Sequence, residues 1–258
     1  MAYTKSKLFQ IEGDQRSSGT GSNFTFDLGS SNAILQAKRI VLKAVVIPNV
    51  FYNITSYNNV LQFNRDGDAL QSITVPPGFY TAEQLASVIS TMTSALMTCN
   101  LTCSINTITG KFNWLVSGGT GTDTVFIYPD FAGTTTMGSN LGLPESTNLA
   151  PDEVSGAVDS PYIAQLAGLT SVNIHSKALA PGNYIEESNS TSSVLMNVPI
   201  TSPFLGVTVY ESTCDELNDI VYSAPRSIQS IDIRITDRQG TPVDLQEHNV
   251  KILCKVFY

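Results

Sequence analysis

Apolar and polar residues alternate with a period of two along much of this chain, and that alternation predicts β-strands. Ile231, Ile233 and Ile235 share one face of a predicted strand, and the polar Asp232 lies between them on the other face. Pro48 lacks a ladder donor, so the long apolar run around it is expected to bend, bulge or lie at an edge. We predict about ten strands, drawn from residues 23–28, 39–54, 59–64, 71–77, 99–106, 110–117, 124–129, 170–176, 193–200, 206–211, 227–237 and 249–258.

One segment departs from this alternation and predicts an α-helix over about residues 82–97. Thr81 is placed as the N-cap and Gln84 follows three residues later, which is the pattern of a capping box. An apolar stripe then follows the i, i+3, i+4 spacing of a helix, comprising Leu85, Val88, Ile89, Met92 and Leu96. Such a stripe is expected to pack against a sheet.

Two segments lack any periodicity. Residues 1–22 are rich in Gly, Ser and Asp, which predicts a flexible N-terminal arm. Residues 129–170 carry Gly, Thr, Ser, Pro and acids, and a structureless stretch of that length is uncommon inside a compact domain. We therefore predict a jelly-roll domain over residues 23–258 that carries an insertion or extended loop region at about 129–170.

The composition fits an all-β globular protein. Apolar residues make up 42% of the 258 residues, which is enough for a sizeable core. Charged residues make up only 14%, while Ser, Thr, Asn and Gly are abundant. This composition disfavours a helical bundle, a coiled coil and a disordered chain.

The net charge of −8 is unevenly distributed along the chain. Residues 1–65 hold seven Lys and Arg against three Asp and Glu, whereas residues 66–225 hold two against fifteen. Phosphate binding needs clustered cations, so we expect no specific nucleic-acid site.

Cysteine usage and the absence of targeting patterns predict a protein made in a reducing cytoplasm. The N-terminal sequence has no apolar core of a signal peptide, and the longest apolar run is too short to span a bilayer. Four cysteines lie at 99, 103, 214 and 254 without a C-x-x-C pair, which is poor spacing for zinc. We expect no membrane span, no metal site and free thiols.

The sequence contains no pattern that indicates a catalytic site, and we expect no catalytic, cofactor-binding or metal-binding residues. His175 and Ser176 are neighbours in a predicted strand, so they point to opposite faces and cannot form a catalytic pair. His248 lies in a polar loop, and the Gly-rich residues 117–123 fit a loop between strands better than a phosphate cradle. The adjacent acids are expected in solvated loops, and they are Asp152 and Glu153, Glu186 and Glu187, and Asp215 and Glu216.

An all-β chain with one helix, long loops and an N-terminal arm fits a two-sheet jelly roll. The sequence also resembles the penton (minor capsid) proteins of virophages and polinton-like viruses. The resemblance runs in order through "SNFTFDL" (22–28), "IPNVFYNI" (47–54), "VPPGFYTAEQLASVI" (75–89), "ITGKFNW" (108–114), "NLGL" (140–143) and "IDIRITDRQGTPVDL" (231–245). Residues 145–170 have no counterpart in it.

This resemblance implies a single jelly roll and a structural role in a capsid, without enzymatic activity. In that family five copies close the five-fold vertices of an icosahedral virion whose shell is built mainly of double jelly-roll major capsid proteins. The implied partners are therefore other copies of this chain in a homopentamer, the major capsid protein and other minor capsid proteins. The implied location is the capsid vertex, after synthesis in the host cytoplasm.

Two other functions compete with this one. A carbohydrate-binding jelly-roll module, such as a host-attachment lectin, would use aromatic and acidic loop residues, but the chain has one tryptophan, Trp114. A hydrolase would need a nucleophile next to a base, and the sequence offers no such pair.

Overall fold

The computed structural model describes residues 5–129, 136–145, 147–180, 184–185, 191–212 and 219–258. The chain divides into two compact units. The first unit comprises Met1–Phe51 and Leu169–Tyr258, and the second comprises Tyr52–Gly168.

The described residues form many strands and one helix longer than a single turn. The strands are β1 Ser6–Glu12, β2 Ser18–Gly19, β3 Asn23–Asp27, β4 Ile34–Pro48, β5 Val60–Arg65, β6 Gln71–Thr74, β7 Asn100–Asn106, β8 Lys111–Ser117, β9 Val125–Tyr128, β10 Val158–Asp159, β11 Ser171–His175, β12 Tyr184–Ile185, β13 Thr191–Ser192, β14 Val194–Pro199, β15 Val207–Glu211, β16 Asp219–Ile228, β17 Ser230–Thr236 and β18 Lys251–Phe257. The helices are α1 Gly29–Asn32, α2 Ala82–Ser94 and a 3-10 turn at Gly13–Gln15.

The first unit contains two five-stranded sheets and the two-stranded pair of β12 and β13. The first sheet has the order β1-β18-β4-β15, and β16 pairs with the other half of the long strand β4. The second sheet has the order β14-β11-β17-β3-β2. Residues from both sheets share one core, which includes Ile40 and Leu42 of β4 and the three isoleucines of β17. The predicted inward face of Ile231, Ile233 and Ile235 is confirmed, because all three are fully buried.

The N-terminal segment differs from the predicted flexible arm. Residues 6–12 form β1, which pairs antiparallel with β18 from Ser6 opposite Phe257 to Glu12 opposite Lys251. Ile11 is fully buried in the core of the first unit. This strand is hard to predict from sequence, because it has no long apolar pattern. It is held instead by backbone hydrogen bonds to a strand at the far end of the chain.

The second unit contains α2 and two three-stranded sheets, with the orders β10-β8-β7 and β6-β5-β9. The predicted capping box is confirmed: the Thr81 side chain accepts from the Gln84 backbone N–H, and the Gln84 side chain accepts from that of Thr81. Leu85 and Ile89 are fully buried, so the stripe faces the core as expected. The helix ends at Ser94 rather than at 97, and Leu96 beyond its end is 47% exposed.

The region predicted as an insertion is only the last part of a larger unit. The second unit begins at Tyr52, so the whole of residues 52–168 lies between β4 and β11. Met137, Leu141 and Leu143 belong to its core, and β10 pairs with β8. These residues follow no strand or helix period because they reach the core from turns, which leave no periodic pattern. Residues 130–135 and 146 of the predicted insertion lie outside the described part.

Within the described residues, no helix is both long and apolar enough to cross a membrane.

Candidate functional site: exposed surfaces and buried polar clusters

His175 and Ser176 are both buried but serve different neighbours, as the strand alternation predicted. The His175 Nε2 atom lies 2.9 Å from Thr236 Oγ1. Ser176 Oγ instead donates to the Asp232 carboxylate at 3.2 Å and accepts from the Leu179 backbone N–H at 3.1 Å. Serine and aspartate thus hold the turn that follows β11, and no nucleophile–base pair forms here.

The Gly-rich residues 117–123 connect β8 to β9, which is the predicted loop between strands. The loop does hold an anion, but this anion belongs to the chain itself. The Glu153 carboxylate accepts from the backbone N–H groups of Gly119 at 2.6 Å and Gly121 at 2.5 Å. A backbone cradle of this kind suits a carboxylate or a phosphate, and here Glu153 fills it.

Replacing Glu153 with glutamine is expected to loosen this loop, because charge-assisted hydrogen bonds to a carboxylate are stronger than those to a neutral amide. We expect a loss of about 0.5–1.5 kcal/mol in the stability of the second unit, because these hydrogen bonds lie at the surface, and faster amide exchange at Gly119 and Gly121. Thermal unfolding and hydrogen exchange measure the two effects. Glu145→Gln makes the same chemical change at an exposed carboxylate and should change neither.

The carboxylate that belongs to this loop, Asp123, lies in a polar cluster with one cation. Thr120 Oγ1 donates to Asp123 Oδ1 at 2.7 Å, and Arg65 Nη2 lies 3.0 Å from the same oxygen. Arg65 also donates to Thr98 Oγ1, just beyond α2, at 2.6 Å. The hydrogen bond from Thr120, together with the charge of Arg65, lowers the pKa of Asp123 below its ordinary value of 3.8.

This lowered pKa predicts how Asp123 contributes to stability at different pH values. A carboxyl whose folded pKa lies below its unfolded pKa stabilises the fold above the unfolded value, and this contribution disappears as the pH falls through the folded value. Asp123→Asn should therefore lower the melting temperature at pH 7, and the difference from wild type should shrink below about pH 3.8. Melting curves across this range measure it. A constant difference at all pH values would contradict this assignment, and Asp68→Asn, at an exposed carboxylate, is the control.

The cysteines at 99, 103 and 254 are buried free thiols, as predicted. Burial raises the pKa of the Cys254 thiol to about 12 and also raises that of Cys103, so both are unreactive at neutral pH. Cys214, like the acidic pairs at 186–187 and 215–216, lies outside the described residues. Among the residues that the structure places, no group of three or more potential ligands could hold a metal ion.

The outer face of the first sheet carries exposed apolar side chains. Val207 and Val209 of β15 are 56% and 58% exposed, and Leu205 just before the strand is 75% exposed. Their cross-strand neighbours Pro48 and Val46 are also apolar and only partly covered. A contiguous exposed apolar surface of this kind is typical of a protein–protein contact.

The charged groups on the same face are mostly paired with each other. Arg39 Nε donates to Asp219 Oδ1 at 2.6 Å, and its guanidinium lies 4.9 Å from the centre of the Phe257 ring. Lys251 lies 3.4 Å from Glu12. Because these charges have partners within the sheet, this face can be covered without leaving them unpaired.

A second exposed apolar cluster lies in the second unit, at the β7–β8 hairpin. Ile108 at the hairpin tip is 95% exposed, and the nearby Tyr162 and Ile163 are 60% and 62% exposed. The Asn106 side chain holds the tip by accepting from the backbone N–H groups of Ile108 and Thr109. Nothing in the second unit covers these side chains in the described structure.

Sequence reasoning did not identify the exposed valines of β15. In "GVTVYE" the alternation suggests two buried valines, yet Thr208 is the buried residue and Val207 and Val209 point outward. An alternating segment shows which residues share a face but not which face meets the core when each face mixes apolar and polar residues. Only the register of β15 against β4 settles it.

Comparison with known proteins shows a similarity in fold. No protein-family profile matches the sequence, and no curated protein matches it. Among solved structures, the chain is similar to the crystal structure of the selenomethionine-labelled mavirus penton protein, with a TM-score of 0.57 and 9% sequence identity. The similarity covers 98% of this chain and 99% of that one. The predicted all-β jelly-roll fold is thereby confirmed, and over nearly its whole length the chain has a fold similar to that of the mavirus penton protein.

Proposed function

We propose that this chain is a structural capsid protein that forms homopentamers at the five-fold vertices of an icosahedral virion. The observation that carries the proposal is the similarity in fold to the mavirus penton protein across 98% of the chain. In this proposal the neighbours of the pentamer are double jelly-roll major capsid proteins and other minor capsid proteins. The protein has no enzymatic role, is made in the host cytoplasm and is located in the virion.

The difference in charge between the two units favours subunit contacts made by the first unit. The second unit holds nine Asp and Glu against two Lys and Arg, whereas the first unit holds thirteen against twelve. Copies of a strongly acidic unit repel one another when they are arranged around an axis, but a nearly neutral unit can pack closely. The first unit also carries the exposed valines of β15, which suit such contacts.

The carbohydrate-binding alternative gains no support from the described residues. Trp114, the only tryptophan, is fully buried, and its Nε1 donates to Ser160 Oγ at 3.1 Å inside the second unit. It therefore offers no aromatic platform for a sugar ring.

Purified particles provide the test. We expect mass spectrometry to find this chain in them, and an icosahedral reconstruction to show its two-sheet first unit repeated five times around each vertex. The absence of the chain from the particles would overturn the proposal, as would its presence only at positions away from the five-fold axes. Glycan binding by a purified monomer that is missing from particles would favour the lectin function instead.

A further inference from the structure

We propose that copies of this chain join head to tail, with an exposed ridge on β15 of one copy entering a groove beside β1 of the next. This inference deepens the proposed function, because it specifies the contact between subunits. The ridge consists of Leu205, Val207, Val209 and Glu211. The groove lies at the opposite edge of the same sheet, so both features belong to the first unit.

The groove opens between the β1 edge of the first sheet and β3 of the second sheet. Its volume is about 370 Å³, which is room for a few aliphatic side chains. Its apolar lining consists of Phe9, Phe26, Leu28, Ile34 and Val256. Phe9, Phe26 and Leu28 are only partly buried against the core, so the groove leaves some apolar surface in contact with water beside a larger polar lining of Lys7, Gln10, Gln15, Asp27 and Asn32.

The ridge offers apolar side chains in a matching row. Val207, Val209 and Glu211 are spaced two apart in β15, so their side chains share one face, and Leu205 lies in the turn just before the strand. Leu205, Val207 and Val209 are each more than half exposed, and Glu211 is exposed at the end of the row. Strand β15 pairs with β4 and with no other described strand, so its second edge has no described strand beside it.

Charge fixes the direction in which the ridge can enter. Lys7 and Asp27 both line the groove, and Lys7 is exposed. Glu211 is attracted to Lys7 and repelled by Asp27, so the acidic end of the ridge must lie at the Lys7 side. Neither Lys7 nor Glu211 has an ion-pair partner among the described residues, which leaves both available for this contact.

The ridge and the groove lie at opposite edges of one sheet. Two copies related by a two-fold axis therefore cannot make both ridge-and-groove contacts with each other. Each copy uses its ridge on one neighbour and its groove on the other. A heterologous contact of this type closes into a ring when the rotation between copies fits, which is what a pentamer requires.

Sedimentation velocity of the full chain over a concentration series tests the contact with single variants. Wild type is expected to form a closed oligomer, and Val209→Asp to weaken association by about tenfold or more because it places a charge in an apolar contact. Val221→Asp is the matched control, since Val221 is 61% exposed on β16 of the same sheet. Glu211→Lys should weaken association, and the double variant Lys7→Glu with Glu211→Lys should recover part of the loss.

A mixing experiment distinguishes a head-to-tail contact from any other. Val209→Asp has a damaged ridge and an intact groove, and Asn32→Trp, at an exposed groove residue, has the reverse. At a concentration at which wild type associates and each variant alone is monomeric, a mixture of the two should form heterodimers, because one ridge and one groove remain intact. A mixture that stays monomeric, or Val209→Asp and Val221→Asp with equal effects, would overturn the inference. Wild type that stays monomeric throughout the series would overturn it as well.

The proposed function is tested separately, by measuring whether the chain and its variants are incorporated into particles. If particles contain wild type at the vertices and incorporate Val209→Asp equally well, the ridge-and-groove contact is wrong and the capsid role stands. If wild type is absent from particles, the capsid role is wrong whatever the sedimentation result.

Discussion

Replacing Leu85 with aspartate is expected to unfold the second unit. Leu85 is fully buried where α2 packs against its core. Truncation of a buried leucine to alanine already costs about 2–5 kcal/mol, and aspartate adds the cost of a carboxylate without a partner in an apolar site. The sum is comparable to the whole stability of a typical domain, about 5–15 kcal/mol. The variant should lose the cooperative melting transition of this unit and the near-ultraviolet circular dichroism of Trp114.

Leu96→Asp is the control for this prediction. It makes the same substitution two residues beyond α2, at a side chain that is 47% exposed. Its melting temperature should remain close to that of wild type. If Leu85→Asp melted like Leu96→Asp, the apolar stripe of the helix would not face the core.

The helix could be predicted from sequence because every signal that defines it is local. The capping box joins residues three apart, and the stripe repeats within four residues. The structure therefore agrees with the sequence from Thr81 to Ser94 and differs only at the C-terminal end. That end has no glycine and no basic residue in the last turn, so the sequence contains no stop signal there.

The boundary between the two units could not be predicted, because no break in the hydrophobic pattern marks it. Phe51 packs in the core of the first unit, and Ile54, three residues later in the same apolar run, packs in the core of the second. A single apolar segment that supplies two cores looks like one strand. Only contacts between distant residues separate the two units.

Among the candidate sites, some features could be predicted from the sequence and others could not. The separation of His175 from Ser176 could be predicted, because strand alternation is a local rule. The ridge and the groove could not, because each is built by residues brought together by pairing across the chain, such as β1 with β18. Glu153 in the Gly-rich loop is a similar case, since it lies more than thirty residues from Gly119.

Ile11→Asp is expected to unfold the first unit, and it tests the strand that the sequence did not predict. Ile11 is fully buried and lies opposite the buried Ile252 in the β1–β18 pair. An unpaired carboxylate in this position should cost several kcal/mol, enough to abolish or strongly lower the melting transition of the unit. Leu8→Asp provides the matched control in the same strand, because Leu8 is 58% exposed on the outer face.

Deletion of residues 2–12 provides an independent check on the same strand. A flexible arm can be removed without loss of stability, whereas an ordered edge strand cannot, because its removal exposes one side of β18 and the core beneath it. We expect the truncated chain to melt at a lower temperature and to show faster amide exchange along β18. If it melted like wild type and Ile11→Asp were also harmless, residues 1–12 would be an arm after all. The groove, whose lining includes Lys7 and Phe9, would then be absent from the isolated chain. The same two variants therefore also test whether the proposed docking site exists before assembly.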